Sequence, residues 1–146
     1  MLLYSINTLE KIDKLDVNID QSFKHECAVI IKEYSDLYGI DENIVLSIFK
    51  VESNFNPKAV NYDSRDFGIG QINAINMKHH NIDLGKLMND LRYAIGFTYI
   101  LLDGLQKVYK KDDEKWWSRY HSFKGKYRKI YEEKIDVYLD LLKGVK

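Results

Sequence analysis

Apolar residues recur every three or four positions along most of this chain, which is the spacing of amphipathic helices. Asp20 and Asp41 can each cap the start of such a stretch, and Gly39 and Pro57 follow as stop signals. Between residues 54 and 76 the period breaks, and this segment is predicted to be a loop with one short turn of helix. The predicted helices cover residues 21–38, 42–55, 87–105, 114–123 and 127–142.

The helix predicted over residues 87–105 is apolar on nearly its whole circumference. Ile95 belongs to one side of it and Phe97 to the other. A helix of this kind is typical of the buried centre of a helical domain. We therefore predict an all-α fold around one central helix, in a domain that spans residues 21–146. Residues 1–20 are expected to form a loosely attached N-terminal arm.

The composition supports helices and excludes several classes of protein. Only eight Gly and one Pro occur among 146 residues, about half the usual share, and an all-β fold needs more turn residues than that. The 22 basic residues balance 22 acidic ones, which argues against disorder and against a nucleic-acid binder. No apolar run reaches the ~18 residues of a membrane span. We see no signal peptide, so no export route is predicted.

The charges are unevenly distributed along the chain. Residues 1–66 carry 12 acidic and 7 basic side chains, whereas residues 107–146 carry 7 acidic and 12 basic ones. We interpret the basic region as a solvated helical surface, with binding of a polyanion as the alternative. The histidines and the single cysteine show no metal-ligand spacing. Neither a metal nor a cofactor is predicted.

One carboxylate falls on the apolar face of the helix predicted over residues 42–55. Val45, Ile48 and Phe49 stand at positions i, i+3 and i+4, and Glu52 follows at i+7. Burial and the negative end of the helix dipole both disfavour the charged form, so the pKa of Glu52 is expected to rise. A raised pKa suits a general acid that works near neutral pH. The alternatives are a frayed helix end or burial against an arginine.

Two motifs at a fixed separation identify the family that this chain resembles. The first runs from Glu52-Ser53-Asn54-Phe55-Asn56-Pro57 to Ala59-Val60, and the second is Gly68-Ile69-Gly70-Gln71-Ile72. Together they resemble the catalytic signature of the soluble lytic transglycosylases, lysozyme-like enzymes that cleave bacterial peptidoglycan. The resemblance covers roughly residues 25–135. It implies a single SLT domain with the fold of the goose-type lysozymes.

The resemblance implies that Glu52 is the only catalytic carboxylate. Glu52 would protonate the oxygen that bridges N-acetylmuramic acid and N-acetylglucosamine, and would then take a proton from the muramoyl C6 hydroxyl. Attack of that hydroxyl on C1 closes a 1,6-anhydro ring without consuming water, whereas most glycosidases use two carboxylates. One alternative is a water-using muramidase, with Asp63 or Asp66 as the base. The other is a catalytically weak module for wall binding or assembly.

The same resemblance implies which residues contact the substrate. Ser53 would orient Glu52 or touch the substrate, and the hydroxyl of Tyr120 would reach Glu52. Glycine at position 68 lets the backbone turn sharply and approach a ligand closely, and His121 stands where the family commonly has Asn. The implied substrate-binding residues are Ser53, Gly68, Gln71, Ile72, Asn73, Tyr120 and His121.

Gly70 is the clearest departure from the family pattern, which usually has Met at this position. The missing side chain is expected to leave one wall of the groove shallower, so that Gly70→Met would tighten glycan binding. Asp66 before the glycine motif, residues 71–73 and residues 120–122 are similar to the small specialised members, which open gaps in the wall for secretion, conjugation or phage machineries. The resemblance thus implies peptidoglycan as the substrate, such a machinery as a partner, and the periplasm or cell envelope as the location.

Overall fold

The computed structural model describes residues 2–145, with side chains from residue 3 onward. This part of the chain forms seven α-helices, one 3-10 helix and one small antiparallel sheet. The all-α prediction is thereby confirmed. In chain order the elements are α1 (Leu2–Lys14), α2 (Gln21–Tyr38), α3 (Glu42–Ser53), β1 (Val60–Asn61), β2 (Asp66–Phe67), β3 (Ile72–Asn73), α4 (Ala74–His79), α5 (Leu84–Asn89), α6 (Leu91–Tyr109), the 3-10 helix (Trp116–Tyr120) and α7 (Gly125–Leu142).

Two helices, α3 and α6, form the centre of the core. Helix α3 buries five consecutive residues, 45–49, so the middle of this helix is covered on all sides. Helix α6 buries Ile95, Tyr99 and Leu102 but leaves Ile100 39% exposed. The predicted central helix therefore belongs to the core, but it is not covered on all sides.

The observed helix boundaries differ from the predicted ones where a cap intervenes. Asp90 divides the helix predicted over residues 87–105 into α5 and α6, because its carboxylate accepts a hydrogen bond from the Tyr93 amide at 3.1 Å and so caps α6. The helix predicted over residues 114–123 is only the short 3-10 helix. Helices α2, α3 and α7 begin and end within two residues of their predicted bounds.

The N-terminal segment is packed against the rest of the domain and is not the loosely attached arm that we expected. Helix α1 contacts α2, α3 and α7, and Ile12 is fully buried. The Thr8 hydroxyl donates a hydrogen bond to Glu42 in the first turn of α3, and the ammonium of Lys11 lies 3.4 Å from the same carboxylate. The hydrophobic pattern concealed this contact because Thr8 and Lys11 are polar residues on the buried side of α1.

The segment between α3 and α4 contains three short strands instead of the predicted loop. Strand β2 pairs antiparallel with β1 and β3, so that Phe67 is opposite both Val60 and Ile72. Strands of two residues are too short to leave a period in the sequence. The second motif forms the turn between β2 and β3, and the Ser53 hydroxyl at the end of α3 bonds to it.

Candidate active site

Glu52 lies in the last turn of α3, and the helix does not fray before it. Asn54 caps the helix in the left-handed conformation (φ 52°), and the next residue, Phe55, also has a positive φ of 62°. A positive φ is unusual for a bulky residue. Phe55 is held there because its ring is fully buried and lies edge-on against Phe49, with the centroids 5.8 Å apart. This turn fixes the end of the helix that carries Glu52.

The surroundings of Glu52 favour the protonated carboxyl. Loss of hydration, reinforced by the charge of Asp66 and opposed by that of Lys134, raises the pKa of Glu52 from 4.5 to about 8. The side chain keeps part of its surface exposed. Within the described part of the chain, no arginine or other group pairs with it or hydrogen-bonds to it. At neutral pH Glu52 is therefore a partly accessible acid with a proton to donate.

Residues 53–73, which we call the loop side, run from the last residue of α3 through the small sheet, and the charge of Asp66 among them acts on Glu52. The Ser53 hydroxyl donates a hydrogen bond of 2.6 Å to the Ile69 carbonyl, and a longer one of 3.4 Å to Phe49 in its own helix. Neither bond reaches Glu52. Ser53 thus connects the end of α3 to the second motif, and its contact with a sugar stays a prediction.

The amide side chain of Gln71 also holds the loop side together. Its nitrogen donates to the carbonyls of Ala59 at 3.1 Å and Gly68 at 3.0 Å. Gly68 has the sharp turn that its residue type suggested, with a φ of 80°. Only the Gln71 carbonyl oxygen is left to meet a ligand, so the predicted contact with an acetamido group depends on that atom.

Asn73 and Asp66 form a fixed polar pair beside Glu52. Asn73 caps α4 by accepting a hydrogen bond from the Ile75 amide, and its nitrogen donates to Asp66 at 3.0 Å. The other oxygen of Asp66 accepts a 2.5 Å bond from the Ser64 hydroxyl. Both oxygens of Asp66 are therefore held in place at a position where the charge acts on Glu52.

Ile72 does not present its side chain to a ligand. It is only 2% exposed and belongs to the hydrophobic core, so the substrate role predicted for this residue is limited to its backbone. The alternation of the strand explains the difference, because neighbouring residues of β3 point to opposite faces of the sheet. The family motif marks the strand but not which of its residues face the groove.

Residues 116–134, which we call the helix side, approach Glu52 from the 3-10 helix and α7. The Tyr120 hydroxyl lies 2.5 Å from the Gly70 carbonyl, to which it donates, and 3.3 Å from the Thr98 hydroxyl. Burial first, and then the charge of Glu52, raise the pKa of Tyr120. Tyr120 is thus close to Glu52, as the resemblance implies, but its hydrogen bond goes to the loop side.

The expectation for Gly70 is wrong, because a side chain at this position would collide with the side chains already packed around it. A Cβ atom on Gly70 would lie 2.3 Å from the Thr98 hydroxyl oxygen and 2.8 Å from the Tyr120 hydroxyl oxygen. These distances are shorter than any stable contact. Glycine is required here by the close approach of two hydroxyl-bearing side chains, and Met would not deepen the groove.

Tyr131 is a residue of the site that the sequence did not reveal. It is 3% exposed, its hydroxyl has no hydrogen-bond partner within the described residues, and burial followed by the charge of Glu52 raises its pKa. The ring of His121 stacks on it, with centroids 4.7 Å apart and an interplanar angle of 9°. Partial burial lowers the pKa of His121. In the sequence, Tyr131 is simply one apolar position of the last helix.

An ion-pair network fixes the 3-10 helix against α7. Asp113 accepts hydrogen bonds from the guanidinium groups of Arg119 and Arg128. Arg128 also donates to the Ser118 hydroxyl at 3.1 Å. Because Tyr120 follows Arg119 and Tyr131 lies one helical turn beyond Arg128, this network determines how the two tyrosines approach Glu52.

Neither a metal centre nor a membrane span is found where the structure describes the chain. No group of three or more His, Cys, Asp and Glu side chains between residues 2 and 145 could hold a metal ion. No helix within those same bounds is long and apolar enough to cross a membrane.

Comparison with known proteins assigns the chain to a family. Residues 29–132 match the model of the transglycosylase SLT domain, which is well over half of the 146 residues. The chain belongs to this family. Its activity is therefore of the transglycosylase type that cleaves peptidoglycan, and its substrate is the bacterial cell wall. None of the curated proteins and none of the solved structures gives a significant match.

Proposed function

We propose that this protein is a lytic transglycosylase that cleaves the bond between N-acetylmuramic acid and N-acetylglucosamine through Glu52 alone. The observation that supports this proposal is the state of Glu52 itself. Its carboxyl has a pKa raised to about 8, keeps part of its surface exposed, and is not engaged by any other described residue. A general acid that works near neutral pH needs this combination of protonation and access.

In the proposed reaction one group transfers two protons in sequence. Protonated Glu52 donates to the bridging oxygen as the bond to C1 breaks, and it becomes a carboxylate. That carboxylate accepts the proton of the muramoyl C6 hydroxyl, whose oxygen forms the new bond to C1. The product is a 1,6-anhydro ring, and Glu52 is protonated again. The Lys134 ammonium, which acts against the raised pKa, favours the carboxylate of the intermediate stage.

A water-using muramidase is the second candidate, and one observation favours it. Asp66 is close enough to Glu52 to raise its pKa, so it is better placed than the exposed Asp63 to activate water. However, both oxygens of Asp66 already accept hydrogen bonds, from Asn73 and Ser64. An electrostatic role for Asp66 accounts for these contacts more simply than a role as base.

A catalytically weak module would not need this arrangement. An unpaired carboxyl in a desolvated position lowers stability, and such groups are concentrated at functional sites. We therefore rank wall binding without cleavage below both enzymatic reactions.

The products of digestion distinguish the three possibilities. Purified peptidoglycan would be incubated with the protein and the released muropeptides analysed by mass spectrometry, with Glu52→Gln as the control. We expect muropeptides that end in 1,6-anhydro-muramic acid, and none from the control. Mainly reducing ends would establish the muramidase reaction, and sedimentation with the wall without any release would establish a binding module.

We further propose that the protein acts in the periplasm or cell envelope, where it opens the wall for a secretion, conjugation or phage machinery. The support is the likeness of Asp66, residues 71–73 and residues 120–122 to specialised members of the family. The test is complementation in the host: wild-type protein should restore assembly of the machinery in a deletion strain, and Glu52→Gln should not. Restoration by both proteins would exclude a need for wall cleavage.

A further inference from the structure

A surface groove lies between α3 and α7, next to the last turn of α3. Its volume is about 330 Å³, and it is lined by Lys50, Val51, Lys134, Val137 and Tyr138. This volume is at the lower end of the range for sites that bind small ligands. The lining residues on α7 lie beyond residue 132, where the family match ends, so the groove is not explained by the family motifs.

The lining of the groove combines two cations with an apolar floor. Lys50 is held in place, because its ammonium donates to Asn54 at 2.7 Å and lies 5.9 Å from the centre of the Tyr138 ring. Lys134 is exposed and makes no hydrogen bond or ion pair with any other residue in the described range 2–145. None of the five lining residues is acidic. The groove therefore suits a ligand that has both carboxylates and small apolar groups.

The groove lies beside the active site. Val51 directly precedes Glu52 in α3. On α7, Lys134 is one helical turn from Tyr131, and its charge acts on both Glu52 and His121. A substituent of a substrate whose reacting bond lies at Glu52 is therefore close to Lys134 and to the groove.

Peptidoglycan has a substituent with the required chemistry. The muramoyl ring whose C1 reacts carries a lactyl ether on C3 of the same ring, and a short stem peptide continues from it. Stem peptides contain free carboxylates and alanine methyl groups. We propose that the groove between α3 and α7 binds the stem peptide, with Lys134 pairing with one of its carboxylates and Val51, Val137 and Tyr138 contacting its apolar part. This inference rests on the proposed function and makes peptide-bearing strands the preferred substrate.

A different role for Lys134 would be to adjust the chemistry of Glu52 alone. In that case its removal would change the cleavage of every glycan strand by the same factor. Binding of the stem peptide predicts instead that the effect depends on whether the strand carries peptides. The ratio between peptide-bearing and peptide-free strands therefore separates the two roles.

The test measures binding in the Glu52→Gln background, where the ligand is not cleaved. Two probes are compared by calorimetry: glycan fragments that keep their stem peptides, and the same fragments after an amidase has removed them. We expect the peptide-bearing fragments to bind roughly 2–10-fold more tightly, as for one exposed ion pair with apolar contact. Lys134→Gln should bring this ratio close to one, and Lys134→Arg should retain it.

Two further variants make the test specific. Lys129→Gln removes another exposed lysine of α7 that has no partner within the described residues, and it should leave the ratio unchanged. Val137→Glu places an acid on the rim of the groove, at a residue that is 63% exposed, and it should lower the ratio without affecting the core. Fragments whose stem carboxylates have been amidated should bind equally well to the Glu52→Gln protein with and without the Lys134→Gln change.

The contrary results are distinguishable. The stem-peptide proposal would be overturned if the Glu52→Gln protein bound both fragments equally, or if its preference for peptide-bearing fragments survived the Lys134→Gln change. Either result would leave the proposed function intact. Binding of neither fragment would contradict the proposed function and this inference together.

Discussion

The two sides of Glu52 are built in different ways. On the loop side, the polar side chains of Ser53, Gln71 and Asn73 are engaged in bonds to the backbone or to each other. On the helix side, Tyr131 and Lys134 have no hydrogen-bond partner among the described residues. The loop side is therefore fixed by its own contacts, whereas the helix side keeps groups available for a substrate.

The two sides also act on Glu52 with opposite sign. The negative charge of Asp66 on the loop side raises its pKa, and the positive charge of Lys134 on the helix side lowers it. Burial exceeds both effects, so the carboxyl remains protonated near neutral pH. The difference shows that a family motif includes residues that hold the site in place as well as residues that react. Here the loop side carries most of the motif, whereas the side chains without a hydrogen-bond partner come from α7.

Removing the carboxyl on which both sides act should have the largest effect. Glu52→Gln keeps the shape of the side chain but cannot deliver and recover a proton, so wall cleavage should fall by at least about 100-fold. The clearing of a suspension of purified walls measures the loss. Cleavage by this variant at more than a few per cent of the normal rate would contradict the role of Glu52 as the acid.

The same variant should increase stability in a defined range of pH. Because the pKa of Glu52 is raised in the folded protein, the native state holds a proton that the unfolded chain releases above its ordinary pKa of 4.5. Native stability should therefore decrease as pH rises from about 4.5 to about 8, and Glu52→Gln should not show this decrease. At pH 7 the gain in unfolding free energy should be at most about 3 kcal/mol. Thermal melts of the variant and the unmodified protein at pH 4.5 and pH 7.5 test this gain. If the two proteins differed in melting temperature by the same amount at both pH values, the raised pKa would be contradicted.

Forcing the two sides apart should cost stability. Gly70→Ala introduces a Cβ where Thr98 and Tyr120 already lie within 3 Å, and overpacking of this kind lowers the unfolding free energy by about 1–3 kcal/mol. Gly104→Ala is the matched control, because a Cβ at this exposed position of α6 meets nothing within 4 Å. There a gain of about 0.5–1 kcal/mol is expected. Denaturant titration should show a lower unfolding free energy for Gly70→Ala and a higher one for Gly104→Ala. A loss of stability in both variants would mean that the close approach at Gly70 is not the cause.

The opposing charges should be visible in the pH dependence of activity. The rate should decline as Glu52 loses its proton, near pH 8 in the unmodified protein. Asp66→Asn should move this decline to lower pH, and Lys134→Gln should move it to higher pH. Asp63→Asn is the control, since Asp63 is exposed and has no part in the pKa of Glu52. Profiles of kcat/KM against pH measure the shifts. If both variants moved the decline in the same direction, Asp66 and Lys134 would not act on the pKa of Glu52 with opposite sign.

The smallest effect should come from the bond between Ser53, the last residue of α3, and the second motif. Ser53→Ala removes the donor to the Ile69 carbonyl and should lower the unfolding free energy by about 1 kcal/mol. Ser47→Ala provides the contrast within α3, because the buried Ser47 hydroxyl has no partner among the described residues. That change should be neutral or stabilising. If Ser47→Ala proves the more harmful of the two, the role assigned to Ser53 is wrong.

Much of the fold, and the raised pKa of the candidate acid, could be predicted from the sequence. The helical spacing and the capping residues placed α2, α3 and α7, because these signals act within a few residues. The position of Glu52 on an apolar stripe was enough to predict its raised pKa. The strands and α1 could not be predicted, because two-residue strands have no period and the buried side of α1 includes Thr8 and Lys11.

The sequence by itself determined helices α2, α3 and α7, the family, and Glu52 as the candidate acid with a raised pKa. Only the tertiary structure decided how the neighbours of Glu52 are used: Ser53 and Asn73 bond within the loop side, Gly70 leaves room for hydroxyl groups, and Tyr131 and Lys134 approach from α7. The physical reason is the distance along the chain over which each kind of interaction acts. Periodicity and capping are local, whereas hydrogen bonds, close approaches and the sign of a neighbouring charge depend on which distant segments the core brings together.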